Sequence, residues 1–182
     1  MAHEHHSAGE DIAIHKVQPR EEGRLQLACA GIDDDGRIAD LHSAYHDNVS
    51  PALQWTLMPD AESFVLVVED PDAPTDEPFI HWMVWNIPGT ACSLPQDLPR
   101  DARMQDPEGA VQGRNSMGQH GYFGPRPPVG HGVHHYHFQL FALDKTLPMP
   151  AETPLKELLN ALKRDTIAQA DLIGTYEAPD LQ

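Results

Sequence analysis

The segment Phe79-Ile-His-Trp-Met-Val-Trp-Asn-Ile87, closed by Pro88-Gly89, reads as a long β-strand. It is rich in β-branched and aromatic residues, and Pro-Gly is a strong turn signal that ends it. Two further stretches read the same way. Phe64-Val-Leu-Val-Val-Glu69 is a short run of the kind buried on both faces, and His134-His-Tyr-His-Phe-Gln-Leu-Phe-Ala-Leu143 is a third strand. Leu25–Ala30 alternates like a strand, and Asp33-Asp-Asp-Gly36 reads as a turn. Strand alternation puts His81, Met83 and Trp85 on one face, opposite Ile80, Trp82 and Val84. It also sends His134, Tyr136 and Phe138 to one face, and His135 and His137 to the other.

Outward from these strands, Pro88 to about Gly132 forms a loop of unusual length, whose prolines and glycines imply an ordered path. A helix follows Thr153, a good N-cap, with Pro154 at the first helical position. Leu155, Leu158, Leu159 and Leu162 form one apolar stripe for a sheet. Asp165-Thr166 is read as an interruption before a further helical stretch, Ile167–Ile173, with Gly174 as its stop. The fold class is mainly β, shading into α+β, with carboxy-terminal helical cover. One domain over residues 21–182 follows a His-rich amino-terminal tail, residues 1–20, expected to be flexible.

Composition narrows the function. The formal net charge is −16 with a pI near 4.9, so the field repels nucleic acid unless a basic patch overrides it, and no Lys/Arg cluster of that kind occurs. Twelve histidines add a pH lever, since imidazole titrates at about 6.5. Cys29 and Cys92 are far apart and read as two buried thiols. No apolar run approaches the roughly 20 residues of a membrane span. The first ten residues have neither the basic nor the apolar region of a secretory signal, which points to a cytoplasmic location.

Two segments carry chemistry. In Asp70-Pro-Asp-Ala-Pro74, prolines lock the backbone and make Ala73–Pro74 a candidate cis bond. Asp70 follows directly on a core strand and is the better candidate to reach inward. Asp72 is as well explained as a turn residue accepting backbone N–H groups. Gly121-Tyr-Phe-Gly-Pro-Arg-Pro-Pro128 can offer backbone N–H groups to a bound oxygen on a stiff edge. Histidines on strands are, taken singly, more often satisfied core residues than ligands. His131, His134, His135 and His137 cluster, yet alternation keeps them from converging on a metal. Neither Gly-x-Ser-x-Gly nor His-Glu-x-x-His occurs, which argues against hydrolase and metalloprotease chemistry.

Together, Asp-Pro-Asp-Ala-Pro, His-Trp, Gly-x-Asn (Gly113-Arg-Asn115), Gly-Tyr-x-Gly-Pro-x-Pro-Pro and His-x-Tyr resemble the phosphatidylethanolamine-binding protein family. Its bacterial and archaeal branch, the Raf kinase inhibitor-like proteins, is most similar, through Ser50-Pro-Ala-Leu-Gln-Trp55, Leu140–Asp144 and Leu172–Tyr176. The resemblance implies two antiparallel sheets and a small cavity for phosphate, phosphorylethanolamine or acetate. By motif position, its lining would be Asp70, Asp72, Ala73, Pro74, His81, Gly124, Pro127, Pro128, His134 and Tyr136. Arg126 stands where relatives usually place a small residue, and either adds a cation at the mouth or obstructs it.

The expected function is binding of a small anion or phosphorylated headgroup, without catalysis, metal or cofactor. His81, the Tyr136 hydroxyl and loop N–H groups would donate to the oxyanion, and affinity would rise as pH drops through the histidine range. Inhibition of a kinase or protease by protein contact is the alternative, and hydrolysis by Asp70, His81 and Tyr136 a weaker one. Homodimerisation is left open.

Overall fold

A computed structural model describes residues 11–180. Nine strands and one helix follow in order: β1 Leu27–Cys29, β2 Leu53–Trp55, β3 Ser63–Asp70, β4 Phe79–Pro88, β5 Ser93–Leu94, β6 Arg103–Gln105, β7 Glu108–Gln112, β8 Val133–Leu143, α1 Leu155–Asp165 and β9 Thr166–Glu177. Six form one sheet in the order β6-β7-β4-β3-β8-β9, and three form a smaller sheet, β1-β2-β5. Every pairing between these strands is antiparallel. The expected mainly-β, two-sheet architecture is the observed one.

β3, buried along all of its length, is flanked by β4 and β8 and has apolar side chains on both faces. Phe64, Leu66 and Val68 join Trp82, Val84, Phe138 and Leu140 in a core shared with Leu53, Trp55 and Leu94 of the small sheet. Val65 and Val67 face the other way, with Met83, Trp85 and Phe141, against Leu158, Leu159 and Leu162 of α1. The leucine stripe therefore does what its spacing predicts, with Leu155 partly buried at its edge. Thr153 does not cap the helix: its hydroxyl donates to the Pro150 carbonyl at 2.7 Å, and Pro154 takes the cap position.

Four expectations need correction. Ile167–Ile173 is not helical but part of β9, which pairs with β8 from Val133↔Glu177 to Leu143↔Thr166. Gly174 is no helix stop: it lies within β9 opposite Tyr136, and a Cβ there would stand 2.6 Å from the Ile38 side chain. The long loop after Pro88 contains β5, β6 and β7, and the cis bond is Asp106–Pro107 rather than Ala73–Pro74.

Residues 1–10 lie outside the described residues, so the His-rich opening is not placed. Residues 11–20 are no loose tail. Ile12, Ala13 and Val17 are buried, the Ala13 N–H donates to Glu69 Oε1 at 2.8 Å, and the Ile14 N–H donates to Gln139 Oε1 at 2.7 Å. Cys29 and Cys92 are free thiols, partly rather than fully buried.

One buried amide ties this frame together. Gln112 Oε1 accepts from the Trp82 indole N–H at 2.9 Å, while its Nε2 donates to the carbonyls of Pro99 and Asp101 at 2.7 and 2.9 Å. Gln112→Leu keeps the volume but strands a buried indole donor. It is expected to lower unfolding free energy by about 1–3 kcal/mol, read from the urea midpoint; an unchanged midpoint would refute this role.

Candidate functional site: a polar-floored cavity at the strand ends

Where β3, β4 and β8 run out beside the glycine-proline segment, a cavity of about 270 Å³ opens. That is close to the ~300 Å³ lower end of small-ligand sites. Asp70, His81, His134 and Tyr136 are the buried polar members of its wall, with Pro127 buried beside them. Pro74, Thr75, Met117, Arg126 and Pro128 are the exposed ones and form the rim. Phe79 and Phe123 stand between. Thus Asp70, Ala73, Pro74, His81, Pro127, Pro128, His134 and Tyr136 come together, as the resemblance implied.

Asp72 and Gly124 do not line the cavity. Asp72 turns outward, where its Oδ2 accepts from the His135 N–H at 2.7 Å and lies 2.8 Å from that ring. Gly124 is structural. Its N–H donates to Asn48 Oδ1 at 2.7 Å, and a Cβ would meet the His42 carbonyl oxygen at 2.0 Å.

His81 reaches the site through an irregularity that period-two counting cannot see. Val68 pairs with Trp82 and Glu69 with Ile80, so His81 is the extra residue of a β-bulge. The bulge takes it off the Met83 face and re-aims its ring at Tyr136, centroids 5.1 Å apart and edge-on. Ile80 correspondingly packs with the Met83 core. The expected grouping of His81 with Met83 and Trp85 is therefore wrong, whereas His134, Tyr136 and Phe138 behave as alternation requires.

Hydrogen bonding fixes the protonation pattern of the floor. His81 Nδ1–H donates to the Phe123 carbonyl at 2.6 Å, and Phe123 N–H returns a bond to the His81 carbonyl at 3.0 Å. Nε2 of neutral His81 is then left as an acceptor. Burial pushes the His81 pKa down to about 4, against a smaller opposing effect of the Phe123 carbonyl. The proton expected to arrive in the ordinary histidine range thus arrives only in more acid solution.

Asp70 Oδ2 accepts from His134 Nδ1–H at 2.6 Å, and Oδ1 accepts from the Asp72 N–H at 2.8 Å. His134 Nε2 in turn lies 2.5 Å from Nδ1 of the exposed His131, completing a chain from the buried carboxylate to solvent. Burial raises the Asp70 pKa, opposed by its bond from His134. Burial likewise raises that of Tyr136, so its phenol stays protonated as a donor. That hydroxyl has no hydrogen-bond partner.

The proline wall is held from behind by a segment that sequence reading passed over. Ser43 Oγ donates to the Pro125 carbonyl at 2.8 Å and Tyr45 Oη to the Pro127 carbonyl at 2.6 Å. Asn115, buried, accepts from Met117 N–H at 2.9 Å and donates to the Gly121 carbonyl at 3.0 Å. Nothing in the spacing of Ser43 and Tyr45 says which loop they brace, whereas Asn115 belongs to the Gly-x-Asn motif. Among the described residues, no cluster of His, Cys, Asp and Glu could hold a metal ion.

The family model described as phosphatidylethanolamine-binding protein matches residues 19–177. The chain belongs to that family. A UPF0098 protein of Pyrococcus horikoshii is 42% identical over 131 residues, 71% of this chain and 65% of that protein. This chain therefore spans slightly less than two thirds of that relative. The crystal structure of Escherichia coli YbcL, titled a new member of the mammalian PEBP family, superposes with a TM-score of 0.79 at 34% identity. The match covers 86% of this chain and all of the crystallised YbcL chain. The bacterial and archaeal branch is thus the right one. The description of the matching family names a binding protein.

Location is less constrained. No helix among the described residues is long and apolar enough to cross a membrane. Yet LppC of Mycobacterium tuberculosis, whose name marks it as a candidate lipoprotein, is 38% identical over 154 residues, 84% of this chain and 72% of that protein. Family membership does not by itself fix a cytoplasmic compartment.

Proposed function

We propose that this protein binds a small oxyanion, such as phosphate, phosphorylethanolamine or acetate, in the cavity floored by Asp70, His81, His134 and Tyr136. The observation that carries the reading is the Tyr136 hydroxyl, a donor on a residue 1% exposed, lining a cavity and lacking any partner. Buried polar groups are nearly always satisfied, and a ligand oxygen satisfies this one. With His81 neutral, its Nε2 accepts rather than donates. A monoprotonated phosphate fits that pair well, taking a bond from Tyr136 and giving one to His81. A ligand without a proton of its own, such as acetate, needs His81 to be protonated, so its affinity rises as pH falls toward about 4.

Calorimetric titration with inorganic phosphate at neutral pH tests the reading. Tyr136→Phe removes one oxygen and is expected to weaken binding about tenfold, the worth of one hydrogen bond of about 1.4 kcal/mol. Equal affinity in the two proteins would remove the hydroxyl, and with it this assignment.

A further inference from the structure

The rim holds a charge that no described carboxylate answers. Among the described residues, Arg126 is the only Lys or Arg lining the cavity, and it forms no ion pair with a described carboxylate. Arg100 and Arg103 likewise form no ion pair with a described carboxylate, so what sets Arg126 apart is its place on the cavity rim. Its guanidinium carbon rests 5.6 Å from the centre of the Tyr45 ring, a weak exposed contact that a carboxylate would displace. The backbone beneath it is stiff: Arg126 lies between Pro125 and Pro127, and Tyr45 Oη holds the Pro127 carbonyl. On the facing side Asp70 bonds His134 and Asp72 bonds His135, while Asp76 and Glu77 are exposed and form no ion pair with a described cation.

Floor and rim therefore differ in what they ask of a ligand. The floor offers one donor, one neutral acceptor and a buried carboxylate. The rim offers a full positive charge. The cavity also has more room than a bare oxyanion fills, so a substituent must pass the rim where Arg126 stands. An ammonium there is repelled and an acid attracted.

We propose that Arg126 is a specificity-determining residue, pairing with a second negative group on the ligand. The site then favours headgroup-sized phosphates that carry an additional carboxylate over those ending in an ammonium alone. This rests on the anion-binding reading above and adds the ligand class to it.

Phosphoserine and phosphorylethanolamine differ by one carboxylate and make a matched pair. Titrated in low salt, wild-type protein is expected to prefer phosphoserine about fivefold, the size of a good half-exposed Arg–carboxylate pair. Arg126→Gln brings the ratio close to one, and Arg126→Lys keeps most of it. Thermal melts of both variants should match wild type, since the side chain is exposed. A wild-type ratio near one, or a preference that survives in Arg126→Gln, overturns the proposal. Inorganic phosphate, titrated alongside, separates the two claims. If it binds and the ratio is one, only the role of Arg126 falls; if it fails to bind wild type, the anion site itself falls and takes this proposal with it.

Discussion

Gly124→Ala is expected to lower unfolding free energy by about 2–4 kcal/mol and to loosen the proline wall of the cavity. The added Cβ would lie 2.0 Å from the backbone oxygen of His42, which cannot swing aside as a side-chain end could. The segment must move, and three bonds go with it: Gly124 N–H to Asn48 Oδ1, Ser43 Oγ to Pro125 O, and Ala44 N–H to Pro125 O. At roughly 1 kcal/mol each these account for most of the loss. Urea unfolding followed by tryptophan fluorescence reads it directly. A midpoint within experimental scatter of wild type would mean that the close approach at Gly124 has no energetic weight. Phosphate affinity should fall in parallel, because Pro127 and Pro128 belong to the displaced stretch.

The second large effect is in pH. His81 titrates at about 4 in the folded protein because burial disfavours its charged form. An unfolded histidine titrates at about 6.5. Between those values the unfolded chain holds the extra proton, so stability from this group is full above pH 6.5 and drains away as pH falls to 4. The window carries on the order of 3 kcal/mol, at about 1.36 kcal/mol per pKa unit. Glu69 and Asp70, whose pKa values burial raises, act in the opposite sense; Asp165, lowered by its bond from Arg164, acts with His81. The clean measurement is therefore a difference. His81→Asn keeps an N–H donor without the titration, and wild type should lose about 3 kcal/mol more than the variant between neutral pH and pH 4. Superimposable stability–pH profiles would contradict the buried, neutral imidazole.

Both effects come from packing that the sequence hides to different degrees. β3, β4 and β8 were legible because each is a dense run of branched and aromatic residues. β9 was not. Its inward side, Ala168, Ala170, Leu172, Gly174 and Tyr176, alternates faithfully, but alanine and glycine give a faint apolar signal. Pairing with the full length of β8 then overrides the helical leaning of Ala, Gln and Leu. β5, β6 and β7 are only two to five residues long and lie among prolines, too short to show a period.

The cavity was legible mainly as motifs. Asp70, His134 and Tyr136 follow from position on a strand, since each faces the shared core side. His81 does not, because a one-residue bulge reverses its parity, and only the motif match put it beside Tyr136. Phe79, Met117 and Phe123 were missed as wall residues because they carry no polar chemistry that single-sequence reading would flag, and Thr75 because its hydroxyl reads as an ordinary turn donor, which it is, to the Glu77 carbonyl.

Asp70, His81 and Tyr136 sit on three adjacent strands whose neighbouring residues build the core, whereas Arg126, Met117 and Thr75 hang from loops. Exchanges at the former disturb folding as well as recognition. Exchanges at the latter retune recognition alone. The architecture thereby divides heritable variation in two: an anchor that selection must leave in place, and an outer margin from which new preferences can be drawn without rebuilding the molecule.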